Sequence, residues 1–365
     1  MSEIPKNKVR LIAFYLPQFH PIPENDEWWG KGFTEWTNVG KAKPLFKGHY
    51  QPRVPADLGY YDLRVPEVRE AQAQLAKEYG IEGFCYWHYW FGNGKRLLER
   101  PFNEVLESGK PDFPFCLAWA NESWKGLAHG LSNRDILIEQ LYLGEHDYIA
   151  HFYTVLPAFK DSRYITVDGL PLFMIYKPMA DPEVIIFMNI WRKLALKNGL
   201  KGIYFVGHCN EPKYTALQIV AAGFDGVNTN RLVYYVTNHL SFAQKVRDHL
   251  FKIHRGVPLV YSYRVMSKYF LIPDEDTQEN VFPSIFPGWD HTPRSGKDGL
   301  VLSRTSPELF KNTVGETIKM IEHKHPQHKI IFVKSWNEWA EGNYLEPDLK
   351  WGNKFLEALK PALEE

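Results

Sequence analysis

Two glutamates near the C-terminal end of the sequence have the spacing of a paired acid and base. Residues 336–342 read Trp-Asn-Glu-Trp-Ala-Glu-Gly, so Glu338 and Glu341 are three residues apart, beside Trp336 and Trp339. If this segment turns helically, the two Cβ atoms lie about 5–6 Å apart on one face. Carboxylates at that separation ionise unequally, so one becomes an acid while the other stays a base. Cleavage of a glycosidic bond needs that division of roles.

The same spacing is common on solvated helix faces, so the meaning of the pair depends on where the fold places it. Eight short apolar runs alternate with longer amphipathic stretches. This alternation predicts a parallel sheet, and eight units favour a closed barrel over an open sheet. No GxGxxG motif follows the first run, so the fingerprint of a dinucleotide-binding fold is missing. We predict a single (β/α)8 TIM-type barrel over residues 1–365, with the glutamates directly after its eighth strand.

The predicted elements can be read from the periodicity of the apolar residues. The predicted strands are Val9–Leu16, Gly83–His88, Phe115–Trp119, Leu172–Tyr176, Ile203–Gly207, Gly226–Asn228, Val281–Phe286 and Ile330–Lys334, with a further candidate at Leu259–Tyr261. The predicted helices are Leu63–Tyr79, Asp147–Phe159, Asp181–Leu196, Tyr214–Ala222, Ser241–Ile253, Ser306–His323 and Lys354–Leu363. Two long segments remain, residues 19–58 and 121–144, and we expect the first to cover the barrel mouth.

Aromatic and polar residues cluster after the predicted strands, where the active site of a (β/α)8 barrel lies. Aromatics make up 15% of the sequence. The apolar face of a sugar ring stacks on an aromatic ring, while its hydroxyls need polar partners. We therefore predict a sugar-binding cleft with Glu338 and Glu341 as the catalytic pair. The substrate-binding residues predicted for this cleft are Tyr15, Gln18, Glu35, Trp36, Trp87, His88, Trp119, Asn121, Glu122, Trp124, His208, Asn228, Arg231, Trp289, Asp290, Trp336, Asn337 and Tyr344.

Composition makes several other classes of function less favourable. Basic and acidic residues both number 43, so the net charge favours neither nucleic acid nor an anionic membrane surface as a partner. The sequence has no run of about 18 apolar residues, so we expect no membrane span. The first ten residues are polar and basic, so we expect a cytoplasmic protein, or a periplasmic or secreted one if a signal peptide has been removed. No HExxH, CxxC or GxSxG motif occurs, and we expect neither a metal nor a cofactor.

Seven stretches together resemble a known family, the glycoside hydrolase family 99-like proteins of the WbsX type, which are encoded in bacterial polysaccharide and O-antigen gene clusters. The resemblance covers nearly the whole chain. The stretches that carry it are Ala13–His20, Gly32–Val39, Asp57–Leu63, Gly83–Phe91, Trp119–Trp124, Gly288–Arg294 and Trp336–Gly342.

The resemblance implies a (β/α)8 barrel and unequal roles for the two glutamates. Characterised hydrolases of the family are retaining endo-acting α-mannosidases and α-mannanases. By that match, Glu338 deprotonates the substrate 2-hydroxyl to give a 1,2-anhydro sugar, and Glu341 protonates the departing oxygen and then activates water. The family's hydrolases usually carry histidine where this chain has Ala340, so the resemblance does not fix mannose as the sugar.

Two other functions compete with a retaining glycoside hydrolase that acts on an oligo- or polysaccharide. A glycosyltransferase of O-antigen or capsule synthesis needs a nucleotide-sugar or lipid-phosphate donor. The sequence has no DxD motif in a suitable loop, although Arg231, Arg264 and Arg294 could converge on a phosphate. A catalytically silent carbohydrate-binding barrel is the third reading. The sugar, the linkage, endo or exo action and the oligomeric state are not specified by the sequence.

Overall fold

Eight parallel strands close into a barrel at the centre of the molecule. The computed structural model describes residues 9–126 and 135–362. Each strand pairs with the next one along the chain, and the last pairs with the first. The predicted (β/α)8 barrel is confirmed, and every predicted barrel strand overlaps one of these. The barrel strands are β1 Arg10–Tyr15, β2 Ile81–Trp90, β3 Phe115–Trp119, β4 Leu170–Ile175, β5 Tyr204–Cys209, β6 Gly226–Thr229, β7 Val281–Ile285 and β8 Ile330–Val333.

Short strands outside the barrel pair in the loops. The strand expected at 259–261 is present, but it pairs with residues 300–303 rather than with the barrel. These short strands are Arg96–Leu97, Trp124–Lys125, Ile136–Ile138, Thr166–Val167, Leu259–Ser262, Leu300–Ser303, Asn337–Glu338 and Asn343–Tyr344.

Helices surround the barrel and fill its connections. They are α1 Pro23–Trp29, α2 Glu35–Lys41, α3 Pro66–Glu78, α4 Arg100–Ser108, α5 Glu145–Phe159, α6 Glu183–Lys197, α7 Ala216–Ala221, α8 Tyr234–Asn238, α9 Phe242–Arg255, α10 Tyr263–Met266, α11 Pro273–Asp276, α12 Thr292–Ser295, α13 Pro307–Ile321 and α14 Lys354–Glu357. No helix within residues 9–126 and 135–362 has the length and apolar character needed to cross a bilayer.

Prolines account for two differences from the predicted helices. The first long helix begins at Pro66 rather than at Leu63, because proline suits the first helical position, where its missing N–H is not needed. The helix predicted from Lys354 to Leu363 is shorter in the structure, where it consists of α14 alone. Pro361 cannot continue a helix, and a 3-10 turn at residues 360–362 replaces it. Leu363 itself lies outside the described residues.

The long segment 19–58 crosses the carboxyl ends of the barrel strands, as predicted. The ring of Trp36 lies 5.5 Å from that of Trp339, which follows β8. His49 Nε2 lies 2.8 Å from a carboxylate oxygen of Asp290, which follows β7. The loop after the first strand is therefore attached to the loops after the last two.

A second excursion, residues 230–280, connects β6 to β7, and we call it the β6–β7 excursion. It carries α8 to α11, and together with Phe286 and Leu302 it forms a small apolar cluster beside the barrel core. Helix α9 contributes no buried residue to that cluster or to the core. The buried members of the small cluster are Leu232, Tyr263, Met266, Phe270, Phe286 and Leu302.

A close approach between the start of β2 and the loop before β3 requires glycine at position 83. A Cβ on Gly83 would lie 2.4 Å from the backbone oxygen of Pro114. Gly83→Ala must displace that backbone, and we expect it to lower the free energy of unfolding by about 1–3 kcal/mol. Gly315→Ala on α13 is the control, because no atom lies within 4 Å of its Cβ position. Alanine is the better helix former, so this variant should gain up to about 1 kcal/mol. Equal stability of the two variants in urea unfolding would contradict the close approach.

Candidate active site

A cavity of about 350 Å³ opens at the carboxyl ends of the barrel strands. Each of the eight strands, or the residues that directly follow it, contributes to its wall. The lining residues are Leu16, Gln18, Trp87, Tyr89, Ala120, Glu122, Trp124, Tyr176, Asn210, Asn230, Leu232, Val233, Trp289, His291, Arg294, Lys334, Glu338 and Glu341. Aromatic rings, amides, carboxylates and two cations therefore converge on one volume.

Both glutamates of the predicted pair lie in this wall, on a tight turn after β8. Residues 337–338 pair in antiparallel fashion with residues 343–344, and a single 3-10 turn at 339–341 joins them. The helical turn expected from the sequence is therefore one short turn inside a hairpin. Gly342 closes the hairpin with φ of 58°, and a Cβ there would lie 2.7 Å from the Cβ of Asp290. Only glycine meets both conditions without strain.

One buried guanidinium joins the pair to a third carboxylate. Arg294 Nη1 lies 2.5 Å from Glu341 Oε1 and 3.9 Å from Glu338 Oε1. Its Nη2 lies 3.0 Å from Glu35 Oε2, on α2. Burial alone would lower the pKa of Arg294, but the three carboxylates raise it above its ordinary value. The arginine is therefore a permanent positive charge shared by three acids.

The pair is electrostatically unequal before any substrate binds. Burial raises the pKa of Glu338, and the neighbouring Glu341 raises it further. Lys334, Arg294 and a 3.0 Å hydrogen bond from the Ser335 hydroxyl offset part of that rise. The surroundings of Glu338 therefore favour its protonated form, while Glu341 keeps the closest contact with the guanidinium.

A neutral histidine borders the pair. His291 Nε2 lies 3.6 Å from Glu341 Oε1. Burial and the charge of Arg294 lower the pKa of His291 to about 4, so the ring is uncharged at neutral pH. Across residues 9–126 and 135–362, no group of histidine, cysteine, aspartate or glutamate side chains has the arrangement of a metal site.

Of the residues predicted from the sequence, seven line the cavity. They belong to or follow five of the barrel strands, β1, β2, β3, β7 and β8. They are Gln18, Trp87, Glu122, Trp124, Trp289, Glu338 and Glu341. Their direct contact with a sugar stays a prediction.

The other predicted residues lie behind the cavity wall or beside it, and most of them form polar contacts with the protein. Asn337 illustrates the pattern: its side-chain amide accepts from the Leu16 N–H at 2.7 Å and donates to the Leu16 carbonyl at 3.0 Å, which ties the turn to β1. His88 likewise pairs with His151, and His208 with Asn228. The predicted residues outside the lining are Tyr15, Glu35, Trp36, His88, Trp119, Asn121, His208, Asn228, Arg231, Asp290, Trp336, Asn337 and Tyr344.

The two tryptophans beside the pair support the turn from behind rather than lining the cavity. Trp339 stacks on Tyr344 with ring centroids 3.7 Å apart, and its indole N–H donates to Glu346 at 2.6 Å. Trp336 is fully buried beside Phe84.

The sequence analysis left several lining residues out of the predicted sugar cleft. The most important are Lys334 and Arg294, and Arg294 was considered only as a possible phosphate contact. Arg231 was considered as a partner of Arg294, but Asp276 and Glu275 of the β6–β7 excursion hold it, at 2.5 and 2.7 Å. Position at a strand end was the available signal for Lys334 and Tyr176, because each is the last residue of a predicted strand. The missed lining residues are Leu16, Tyr89, Ala120, Tyr176, Asn210, Asn230, Leu232, Val233, His291, Arg294 and Lys334.

The fold and the cavity define a (β/α)8-barrel protein whose carboxylates lie at the carboxyl ends of the strands. The family described as Glycosyltransferase WbsX matches residues 11–359, and the chain belongs to that family. The predicted resemblance is thus confirmed. The chain is 36% identical over 360 residues to the WxcX proteins of two strains of Xanthomonas campestris pv. campestris, which covers 97% of this chain and 49% of theirs. It spans about half the length of those relatives.

Two solved structures with the same fold are a glycoside hydrolase-like protein and an endo-alpha-mannosidase. The GH99 endo-alpha-mannosidase from Bacteroides thetaiotaomicron superposes with a TM-score of 0.56 at 16% identity, over 99% of this chain and 97% of that one. A glycoside hydrolase-like protein superposes with a TM-score of 0.56 at 13% identity, over 99% and 95%. At these identities the likeness shows the shared barrel fold.

Removal of the shared cation tests the electrostatics of the site without an activity assay. Arg294→Met leaves three close carboxylates unpaired, and we expect it to lower the free energy of unfolding at neutral pH by about 3–5 kcal/mol. Burial already raises the pKa of Glu338, and loss of the arginine's charge raises it further above its value in the unfolded chain, so stability falls as the pH rises. Urea unfolding should therefore show a smaller loss at mildly acidic pH. Arg264→Met, at an exposed arginine of α10, is the control and should change nothing. A loss independent of pH would argue against the shared charge.

Proposed function

We propose that this chain is a retaining glycoside hydrolase that cleaves a glycosidic bond of an oligo- or polysaccharide, with Glu338 and Glu341 as its reacting groups. The observation that carries the proposal is the buried pair at the end of β8, in a cavity with aromatic walls and a shared cation. Trp87, Trp124 and Trp289 offer faces for sugar rings. The barrel shared with an endo-alpha-mannosidase adds support, and an α-mannosidic bond is one candidate linkage.

The proposed reaction has two steps, and each inverts the anomeric carbon. Glu338 takes the proton of the sugar 2-hydroxyl, and that oxygen forms a bond to C1 while the bond from C1 to the leaving oxygen breaks. Glu341 gives its proton to the leaving oxygen. Glu341 then takes a proton from water, whose oxygen attacks C1, while O2 leaves C1 and regains its proton from Glu338. Two inversions give net retention, and no carboxylate becomes covalently bound to the sugar.

The proposed steps require the proton of the pair to be on Glu341 when the reaction begins. The reaction begins with Glu338 ionised and Glu341 protonated, whereas the site without substrate favours the proton on Glu338. The proposal therefore includes a transfer of that proton from Glu338 to Glu341 when the sugar binds. Arg294 can compensate, because Glu35 and Glu338 lie within 3.0 and 3.9 Å of its nitrogens when its contact with Glu341 weakens.

The two roles predict different behaviour of the two amide variants. Glu338→Gln and Glu341→Gln should each slow cleavage of a natural glycan by about 10²–10⁴-fold. With an aryl glycoside whose leaving group needs no proton, Glu341→Gln should keep its first step and Glu338→Gln should not. Rates of phenol release and of sugar release give the measurement. Glu308→Gln, at an exposed position of α13, is the control. If Glu338→Gln keeps the first step with the aryl glycoside and Glu341→Gln does not, the two roles are reversed. Full activity of both variants with the natural glycan would end the proposal.

The raised pKa of Glu338 predicts where activity fails on the alkaline side. The proposed reaction starts from the pair with one proton, so kcat/KM should decline where Glu338 loses that proton, at a higher pH than for an ordinary glutamate, whose pKa is about 4.3. The charge of Lys334 lowers the pKa of Glu338, so Lys334→Gln should move that decline to still higher pH.

The pH dependence of kcat/KM for wild type and Lys334→Gln is the measurement. His291→Asn should leave the decline in place, because the pKa of His291 is already about 4. If the decline in kcat/KM disappears in His291→Asn, or moves to lower pH in Lys334→Gln, a group other than Glu338 causes it.

Glycosyl transfer is the second candidate, and the name of the family favours it. A transferase needs a phosphate-bearing donor, and Lys334 offers the cavity a positive charge 5.4 Å from the ring of Trp87. Arg294 is already balanced by three carboxylates, which makes the site less suited to a second anion. Thermal unfolding with a panel of nucleotide-sugars and of free glycans separates the two: stabilisation by nucleotide-sugars alone would favour transfer.

A further inference from the structure

Helix α9 of the β6–β7 excursion turns its apolar face to solvent. Phe242, Val246, Leu250 and Ile253 are 83%, 40%, 59% and 66% exposed. At about 100° per residue these four positions fall within an arc of about 80°, so they form one stripe along the helix. An amphipathic helix on a globular protein ordinarily buries such a stripe. Here it lies outward over the full length of α9.

The polar face holds the helix in this orientation. Asp248 accepts a hydrogen bond from the Tyr261 hydroxyl at 2.9 Å, and Lys252 forms an ion pair with Asp298 at 2.8 Å. Gln244 and Ser241 form a capping box at the first turn. Residues 244, 248 and 252 are four apart, and they are the half-buried positions of the helix. The contacts that attach α9 to the protein are therefore polar, and its apolar stripe is left for something else.

The charges beside the stripe indicate what covers it. Lys245 and Arg247 lie about 60° beyond the two edges of the stripe, whereas Lys252 faces Asp298. With Asp248 and Asp298 counted, the four basic residues of the helix leave a net charge of four minus two, or plus two. The chain as a whole has equal numbers of basic and acidic residues, so this excess is local. A second copy placed face to face would bring like charges together. A nucleic acid would match the charge and leave the apolar stripe in water.

We propose that α9 docks on the surface of an anionic lipid bilayer, with its apolar stripe among the acyl chains and the flanking Lys245 and Arg247 at the headgroups. An amphipathic helix with apolar and basic faces suits that interface. Its 14 residues give a length of about 21 Å, too short to span a hydrocarbon core of about 30 Å, so it lies in the plane of the surface. Leu232 and Val233 of the same excursion line the active-site cavity, so one segment of the chain carries both α9 and part of the cavity wall.

Vesicle flotation of the full chain tests the proposal. Wild type should float with vesicles of phosphatidylcholine mixed with phosphatidylglycerol, less at high salt, and little with phosphatidylcholine alone. Phe242→Ser combined with Leu250→Ser should weaken partitioning at least about tenfold, and Lys245→Gln combined with Arg247→Gln should remove the preference for the anionic lipid. The control is Leu196→Ser combined with Leu217→Ser, on α6 and α7, where the side chains are 64% and 56% exposed.

The fold of each variant is checked by circular dichroism, and cleavage of a soluble glycan should be unchanged because none of these residues lines the cavity. The proposal is overturned if wild type does not float, if neutral vesicles bind equally well, or if the control pair loses as much binding as the α9 pair. Dimers in size-exclusion chromatography that disappear with Phe242→Ser and Leu250→Ser, without vesicle binding, would assign the stripe to a second copy. Saturable binding of an acidic protein without vesicle binding would assign it to that partner.

Discussion

Three buried carboxylates share a single guanidinium, and the mouth of the barrel is organised around that arrangement. Glu35 belongs to the segment after β1, Arg294 to the loop after β7, and Glu338 and Glu341 to the turn after β8. Like charges repel strongly where water is excluded, so none of these acids is tolerated there without Arg294. The segment 19–58 therefore does more than cover the barrel, because it supplies one of the charges that the arginine must balance.

Buried polar residues on two sides hold the turn after β8 in place despite the repulsion between its carboxylates. On one side Asp290 accepts hydrogen bonds from Gln51 and from its own loop, and its backbone N–H donates to the Glu341 carbonyl at 2.6 Å. On the other side Glu346 accepts from Tyr61, Gln72 and the indole of Trp339. Burial raises the pKa of Glu346 to about 7, so this support carries little charge in mildly acidic solution. Glu338 and Glu341 are therefore held by groups that do not compete for Arg294.

The sequence predicted the barrel well and the cavity wall only in part, for reasons that lie in strand geometry. Alternating apolar and amphipathic stretches are local signals, and they located all eight barrel strands. Side chains of a strand alternate between its two faces, so neighbours in an aromatic run have different surroundings. Trp87 and Tyr89 of β2 line the cavity, whereas His88 packs on His151 behind it. The importance of Arg294 depends on an ion pair across 259 residues of chain, which no local pattern contains.

The same reasoning explains why a neutral chain can still carry a membrane-binding helix. A net charge averages over the whole surface, whereas a docking helix needs charge and apolar area only where it touches its partner. The pattern of α9 predicts a helix, but it does not tell which face is inward. Asp248 and Lys252 decide that through Tyr261 and Asp298, which lie outside the helix. The excursion that carries α9 also supplies the cavity wall at Leu232 and Val233. One segment of the chain therefore sets both the proposed position of the helix at a surface and the proposed access of a glycan to the glutamates.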